Sequence, residues 1–171
     1  MEKTLQVINQ MEQEKIISRY AIGGAVAATL YIEPIQTYDL DVFILFPSTP
    51  SGLISLTPIY NYLEQHGYRS EGETILIEGW PVQFLPVYNP LTEEALTKAE
   101  EVTFGTIATR VLRAEYLATI MLEVGRAKDH ARLVQFFEYE VLNQKVFLDI
   151  VTRYGLVERW DKFYQRFLKE G

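Results

Sequence analysis

The stretch from Tyr38 to Phe46, YDLDVFILF, constrains the fold more than any other part of this chain. Its apolar residues favour a buried β-strand, yet two carboxylates, Asp39 and Asp41, stand one residue apart. Side chains alternate between the two faces of a strand, so both carboxylates should share a face opposite Leu40 and Val42. Neighbouring carboxylates repel unless a cation lies between them. The stretch therefore predicts a metal or nucleotide site, and its apolar neighbours disfavour a solvent-exposed strand face as the alternative.

The length, charge and composition of the chain limit the classes of protein to which it can belong. The chain has 171 residues, 48% of them hydrophobic, with 16 Lys and Arg against 23 Asp and Glu and a formal net charge of −7. This length suits one domain, or an α/β body with an appended helical segment. An acidic chain has no broad basic surface for nucleic acid, so any such contact must be local. The lack of cysteine excludes disulfides and thiolate metal sites.

Neither the N-terminal segment nor any apolar run of the sequence predicts membrane insertion. The N-terminus, MEKTLQVINQMEQEKI, scatters its charges through an amphipathic pattern, unlike a signal peptide. Apolar runs also fall short of the ~20 residues that span a bilayer. We therefore expect a soluble, cytoplasmic protein with no membrane partner.

Hydrophobic periodicity predicts a mixed order of elements. Strands are predicted at Tyr20–Ile22, in TYDLDVFILF, as two strands of ETILIEGWPVQFLPVY joined at Gly79, and as one strand in EVTFGTIATRVL. Helices are predicted around Leu5–Ile16, in AVAATLYI up to Pro34, from Pro58 to Gln65, in NPLTEEALTKA, and from Ala114 onwards with breaks near Gly125, Asn143 and Gly155. A turn is predicted at PSTPSG.

These elements indicate an α+β fold, in which a small mixed β-sheet is flanked by helices and followed by a helical C-terminal part. The expected division places an α/β core in residues 1–112. Residues 113–171 then form a helical segment packed on that core.

Gly23 and Gly24 follow the first predicted strand and precede a predicted helix. Glycine lets the backbone approach a phosphate closely because it has no Cβ, and a helix start offers unpaired N–H groups. A plain turn is the alternative for these two glycines. With the Asp39 and Asp41 carboxylates as ligands for Mg²⁺, a hard cation that prefers oxygen, the pattern predicts a nucleotide site.

The Gly-Gly pair followed by Asp-x-Asp between apolar residues, IGG and YDLDVF here, resembles the nucleotidyltransferase superfamily with the DNA polymerase beta-like catalytic fold. The resemblance covers roughly residues 20–133. It implies that Asp39 and Asp41 are catalytic and bind one or two Mg²⁺ ions. It also implies that Gly23 and Gly24 contact the nucleotide.

Within that superfamily, RVLRAEYLATIMLEVGRAKDHARL is similar to a segment of bacterial toxin-antitoxin and abortive-infection nucleotidyltransferases. There a helix leads into a basic loop, which places Arg126, Lys128 and Asp129 at the corresponding positions. The resemblance implies that Arg126 and Lys128 bind the triphosphate. A helix start, with Asp129 as a favourable acid in its first turn, is the alternative.

The family also supplies a third carboxylate from a later strand, and here the matching segment PVQFLP carries Gln83. An amide oxygen accepts hydrogen bonds but takes no proton at neutral pH. Three explanations stay open at this point. Another acid such as Glu78 in the preceding strand substitutes, two carboxylates suffice, or the fold is kept as a binding module.

The preferred function is a Mg²⁺-dependent transfer of a nucleoside monophosphate from a nucleoside triphosphate to a hydroxyl of a protein, an RNA end or a small molecule such as an aminoglycoside. The alternative is a catalytically weakened, antitoxin-like or regulatory member that binds nucleotide or a partner. A third possibility is a helical interaction protein, because Trp160, Phe163, Tyr164 and Phe167 share one face of the last helix. Such a stripe is either core or a surface for a protein partner.

Overall fold

The computed structural model describes residues 1–34, 36–48 and 52–169. In these residues, strands are interspersed with helices up to Val111, and only helices follow. The strands are β1 (Arg19–Ile22), β2 (Leu40–Leu45), β3 (Arg69–Glu71), β4 (Thr74–Ile77), β5 (Trp80–Pro86), β6 (Glu100–Phe104) and β7 (Ile107–Val111). The helices are α1 (Glu2–Gln13), α2 (Gly24–Ala28), α3 (Thr57–Gln65), α4 (Pro90–Thr97), α5 (Ala114–Val124), α6 (Ala127–Glu138), α7 (Gln144–Arg153) and α8 (Val157–Phe167). Among these described residues, no helix is both long and apolar enough to cross a membrane.

The strands form one mixed sheet in the order β3-β4-β5-β2-β1-β7-β6. β2 is antiparallel to β1 and parallel to β5, whereas β1 is parallel to β7. The end of β1 and the starts of β2 and β5 therefore meet at one edge of the sheet. The predicted α+β class with a mixed sheet is confirmed.

Residues 1–27 and 35–112 form one compact unit that contains the sheet. In this unit α1 buries Leu5, Ile8 and Met11 completely. The hydroxyl of the fully buried Tyr20 lies 2.6 Å from Asn9 Oδ1 and 2.9 Å from Thr109 Oγ1. This network of hydrogen bonds fixes α1 against the strands β1 and β7, because it joins all three elements.

Residues 28–34 and 113–171 form the second unit. Its core is aromatic: the Trp160 ring stacks on Phe137 at 5.1 Å and meets Phe147 edge-on at 5.1 Å. Phe163 is 3% exposed, whereas Tyr164 and Phe167 are 43% and 37% exposed. The predicted aromatic stripe of α8 therefore serves mainly as core of this unit, with two of its rings partly open to solvent.

The helix predicted from the glycine pair to Pro34 is wrong in its length, because α2 ends at Ala28. The N–H groups of Tyr31 and Ile32 both donate to the Ala28 carbonyl, which closes the helix in a turn. Leu30 is 46% exposed. The chain leaves the unit that contains the sheet at this point, because residues 28–34 belong to the second unit.

The single strand predicted in EVTFGTIATRVL is also wrong, since β6 and β7 form an antiparallel hairpin there. Phe104 pairs with Ile107, so the turn between them is Gly105–Thr106, and Gly105 has a φ of +59°. Glycine adopts this left-handed conformation without steric cost. The sequence prediction also omitted β3, all of whose residues are exposed, so that no apolar alternation marks it.

Residues 49–51 of the predicted turn PSTPSG lie outside the described part of the chain. The opening helix predicted to reach Ile16 ends at Gln13, because the backbone at Lys15 turns to a φ of 60°. Several other elements agree with the sequence prediction. These include the hairpin of β4 and β5, the helix around Pro58, and the breaks between the four C-terminal helices.

Candidate active site

The glycine pair and the second aspartate meet at the sheet edge where β1 ends and β2 begins. The Gly23 N–H donates to the Asp41 carbonyl at 2.9 Å, which extends the antiparallel pairing of β1 with β2 by one position. This hydrogen bond brings the glycine pair into direct contact with the Asp-x-Asp motif, although the two lie many residues apart in the sequence.

Gly24 lies against the side chain of Asp41. A Cβ added to Gly24 would collide with the Asp41 carboxylate, and the Gly24 φ of +56° is in the left-handed region. Any L-residue with a side chain would therefore be strained at this position and would also displace the carboxylate. Glycine is therefore required at position 24 for two reasons: its left-handed backbone conformation and the close approach of the Asp41 carboxylate.

Gly23 has a different explanation. It is buried, and a Cβ there would press on the Phe43 ring and approach Leu112 Cδ1 at 3.3 Å. Phe43 and Leu112 are neighbours of the site that the sequence prediction missed. Phe43 could have been found, because it stands two residues after Asp41 and so shares its face of the strand.

Asp39 lies immediately before β2 rather than within it, so the prediction that both acids belong to the strand is wrong for Asp39. The ladder with β5 begins at the pair Leu40 and Val82. The preceding residue of β5 is Pro81, which has no N–H to extend the ladder. Asp39 is half-buried, and its carbonyl accepts a hydrogen bond of 3.1 Å from the Thr37 hydroxyl.

Gln83 is the direct partner of Asp41 in the parallel pair of β5 with β2. The residues that flank them, Val82 and Phe84 in β5 and Val42 in β2, are buried, whereas Asp41 and Gln83 are half-buried. Because side chains alternate along both strands, Asp41 and Gln83 share the other face of the sheet. A carboxamide thus occupies the strand position beside the aspartate.

Glu78 does not lie in a strand, contrary to the sequence prediction. It forms the turn between β4 and β5 with Gly79, and both have positive φ, 51° and 85°. Two-residue turns of this kind match the twist of the strands they join. Glu78 is exposed and accepts a 2.8 Å hydrogen bond from the Tyr68 hydroxyl. Trp80, the first residue of β5 after this turn, lies three residues or roughly 10 Å of strand before Gln83, so Glu78 does not stand beside Asp41.

Arg126 and Lys128 belong to the second unit, at the start of α6. Arg126 Nε donates to Asp129 Oδ2 at 2.7 Å, and the Arg126 backbone N–H donates to the same oxygen at 3.2 Å. Asp129 is only 3% exposed, whereas Lys128 is exposed. Arg126 and Asp129 therefore perform the helix-start role that the sequence analysis gave as the alternative.

The donors at the sheet edge suit a hard divalent cation. Asp39 and Asp41 would supply carboxylate oxygens and Gln83 an amide oxygen, and Gly24 places no Cβ against the Asp41 carboxylate. Within residues 1–34, 36–48 and 52–169, no group of three or more His, Cys, Asp or Glu side chains could hold a metal ion. This donor set fits Mg²⁺ that shares its ligands with substrate phosphates, rather than Mg²⁺ in a cage made by the protein alone.

No protein-family model matches the chain, and no curated protein matches it in sequence. Among solved structures, it is similar to an antigenic nucleotidyltransferase-like protein from Paracoccidioides brasiliensis, with 13% identity and a TM-score of 0.51 over 80% of this chain and 75% of that one. It is also similar to the antibiotic-resistance factor ANT(2″)-Ia, with 14% identity and a TM-score of 0.51 over 95% of this chain and 99% of that one. At such low identity these likenesses concern the fold. The chain has a nucleotidyltransferase-like fold.

Proposed function

We propose that this protein is a Mg²⁺-dependent nucleotidyltransferase that moves a nucleoside monophosphate from a nucleoside triphosphate to a hydroxyl acceptor. The observation that carries the proposal is the contact of Gly24 with the Asp41 carboxylate. It joins the two halves of the sequence motif at one sheet edge, and a nucleotidyltransferase-like fold supports the same assignment.

In this proposal Asp39 and Asp41 hold the cation, while the backbone at Gly23 and Gly24 lies close to the triphosphate. When bound, Mg²⁺ offsets phosphate charge and aligns the acceptor hydroxyl with the leaving pyrophosphate. Contributions of Arg126 and Lys128 to phosphate binding stay predictions. The pairing of the Arg126 guanidinium with Asp129 weakens its candidacy, because that charge is already offset.

A second candidate function is nucleotide or partner binding without efficient transfer, as in an antitoxin-like or regulatory protein. The observation that favours it is Gln83 beside Asp41. A carboxamide cannot take the proton of an acceptor hydroxyl at neutral pH, so the site lacks a base at this position. A nucleotide-binding member would share the nucleotide site with the transferase and differ in turnover, whereas a partner-binding member would need no nucleotide.

Three classes of acceptor remain open: a protein side chain, an RNA end and a small molecule. The net charge of −7 disfavours a broad RNA-binding surface. An antibiotic-resistance factor shares the fold, which makes an aminoglycoside a reasonable first small-molecule acceptor to test. A protein acceptor or partner would instead agree with the resemblance of residues 110–133 to toxin-antitoxin nucleotidyltransferases.

The proposal is tested by calorimetric titration of the purified chain with each nucleoside triphosphate, with and without Mg²⁺, while pyrophosphate release is measured. Mg²⁺-dependent binding with release supports the transferase. Binding without release, in the presence of acceptors of all three classes, supports the second candidate. A chain that binds no nucleoside triphosphate under either condition contradicts the transferase and directs the search to a protein partner of the aromatic helix α8.

A further inference from the structure

The donors that the sheet presents beside Asp41 carry little negative charge. Asp41 and Gln83 are register partners on one face, and Asp39 lies just before the same strand. Glu78, the other acid considered for this role, is in the turn with its carboxylate bonded to Tyr68. The sheet edge thus offers two carboxylates and one neutral carboxamide.

Two carboxylates balance the charge of one divalent cation. A second divalent cation would sit within about 4 Å of the first, as in two-metal sites. Repulsion between two doubly charged ions is fourfold that between unit charges at the same distance, because the Coulomb energy scales with the product of the charges. The Gln83 side chain contributes a neutral amide oxygen, which adds no negative charge to offset that repulsion. The nucleotide phosphates alone would then have to offset the charge of the second cation.

We infer that this site binds a single divalent cation with its nucleotide, and that Gln83 is the residue that keeps a second cation out. The inference rests on the proposed function, because it concerns the same site. With a single cation, the acceptor hydroxyl would have neither a base nor a cation of its own at the Gln83 position.

The test counts bound metal rather than activity. The purified chain is dialysed to equilibrium against MnCl₂ with the α,β-methylene analogues of ATP, GTP, CTP and UTP, which block transfer. Bound Mn²⁺ and bound nucleotide are then measured for the wild type and for Gln83→Asp. We expect one Mn²⁺ per bound nucleotide in the wild type and two in Gln83→Asp, a twofold rise, because the variant supplies the missing charge.

Two further variants make the count decisive. Gln83→Glu adds the same charge at nearly the same side-chain length, so it replaces Gln83→Asp if that variant does not fold. Gln144→Asp makes the same change at an exposed position at the start of α7, and it should leave the ratio at the wild-type value. Without Mn²⁺, Gln83→Asp should melt at a lower temperature than the wild type, because like charges on paired strand positions repel. Addition of MnCl₂ should abolish this difference in melting temperature.

The outcomes separate the inference from the function it rests on. Two Mn²⁺ per nucleotide in the wild type would overturn the inference while leaving the proposed function standing. A ratio of one in both Gln83 variants would overturn the role given to Gln83. A wild type that binds neither Mn²⁺ nor nucleotide would overturn the inference and the proposed function together.

Discussion

Replacing Gly24 by alanine should disrupt the site through the Asp41 carboxylate. The new Cβ would occupy the position of that carboxylate and would sit on a backbone with a φ of +56°. Asp41 must then turn away from the edge where β1 ends. We therefore expect Gly24→Ala to lose nucleotide binding while the fold is retained.

The structure offers a matched control for the backbone part of this effect. Gly72, in the turn between β3 and β4, has a φ of +63°, and no described atom lies within 4 Å of the Cβ that an alanine would add. Both variants pay about 1–2 kcal/mol for an L-residue in the left-handed region. Only Gly24→Ala also forces a neighbouring side chain from its rotamer, at about 0.5–1.5 kcal/mol. Since 1 kcal/mol shifts Tm by about 2–4 °C at this chain length, Gly24→Ala should melt about 1–6 °C below Gly72→Ala.

The assay combines thermal unfolding of both variants with calorimetric titration by nucleoside triphosphate in the presence of Mg²⁺. Gly72→Ala should bind nucleotide as the wild type does. If Gly24→Ala also bound nucleotide with wild-type affinity, the contact between Gly24 and Asp41 would have no part in the site, and the reasoning from it would be refuted.

Two further predictions concern stability. Tyr20→Phe removes a fully buried hydroxyl bonded to Asn9 and Thr109, and it should lower the free energy of unfolding by about 1–3 kcal/mol in urea denaturation. Burial raises the pKa of Tyr20 above its ordinary value of 10.0, so its contribution is complete below that pH and is lost as the pH rises through the folded-state pKa. Stability of the wild type should therefore fall more steeply above pH 10.0 than that of Tyr20→Phe, and equal slopes would contradict this. Asp129→Asn weakens the pairing with Arg126 at the start of α6 and should cost about 1–3 kcal/mol, because the carboxylate is buried. Asp149→Asn, in an exposed pair with Arg153, should cost less than about 1 kcal/mol, and equal losses in the two variants would refute the argument from burial.

Much of the fold could be predicted because local signals mark it. The breaks near Gly125, Asn143 and Gly155 separate the C-terminal helices, since these residues end or begin helices for known steric and capping reasons. The hairpin at Gly105 was missed because one long alternating run hides a two-residue turn. The exposed strand β3 has no apolar residues to reveal it.

The site was predictable in its residue types but not in its geometry. Gly24 and Asp41 could be paired only through the motif, since nothing in the local sequence shows that they touch. The register of Asp41 with Gln83 could not be derived, because β2 and β5 are parallel and no short turn between them fixes their alignment. The place of Glu78 in the turn could not be predicted, because glutamate rarely adopts the positive φ of 51° that it has there.

The central claim is that the Asp41 carboxylate holds the cation through which this protein binds a nucleoside triphosphate. The most direct measurement is the calorimetric affinity for nucleoside triphosphate with Mg²⁺ in Asp41→Asn, compared with Asp161→Asn at an exposed position of α8. We predict that Asp41→Asn weakens binding at least about tenfold, or 1.4 kcal/mol, and that Asp161→Asn binds as the wild type does. Equal, Mg²⁺-dependent affinity in the wild type and a folded Asp41→Asn variant would contradict the claim.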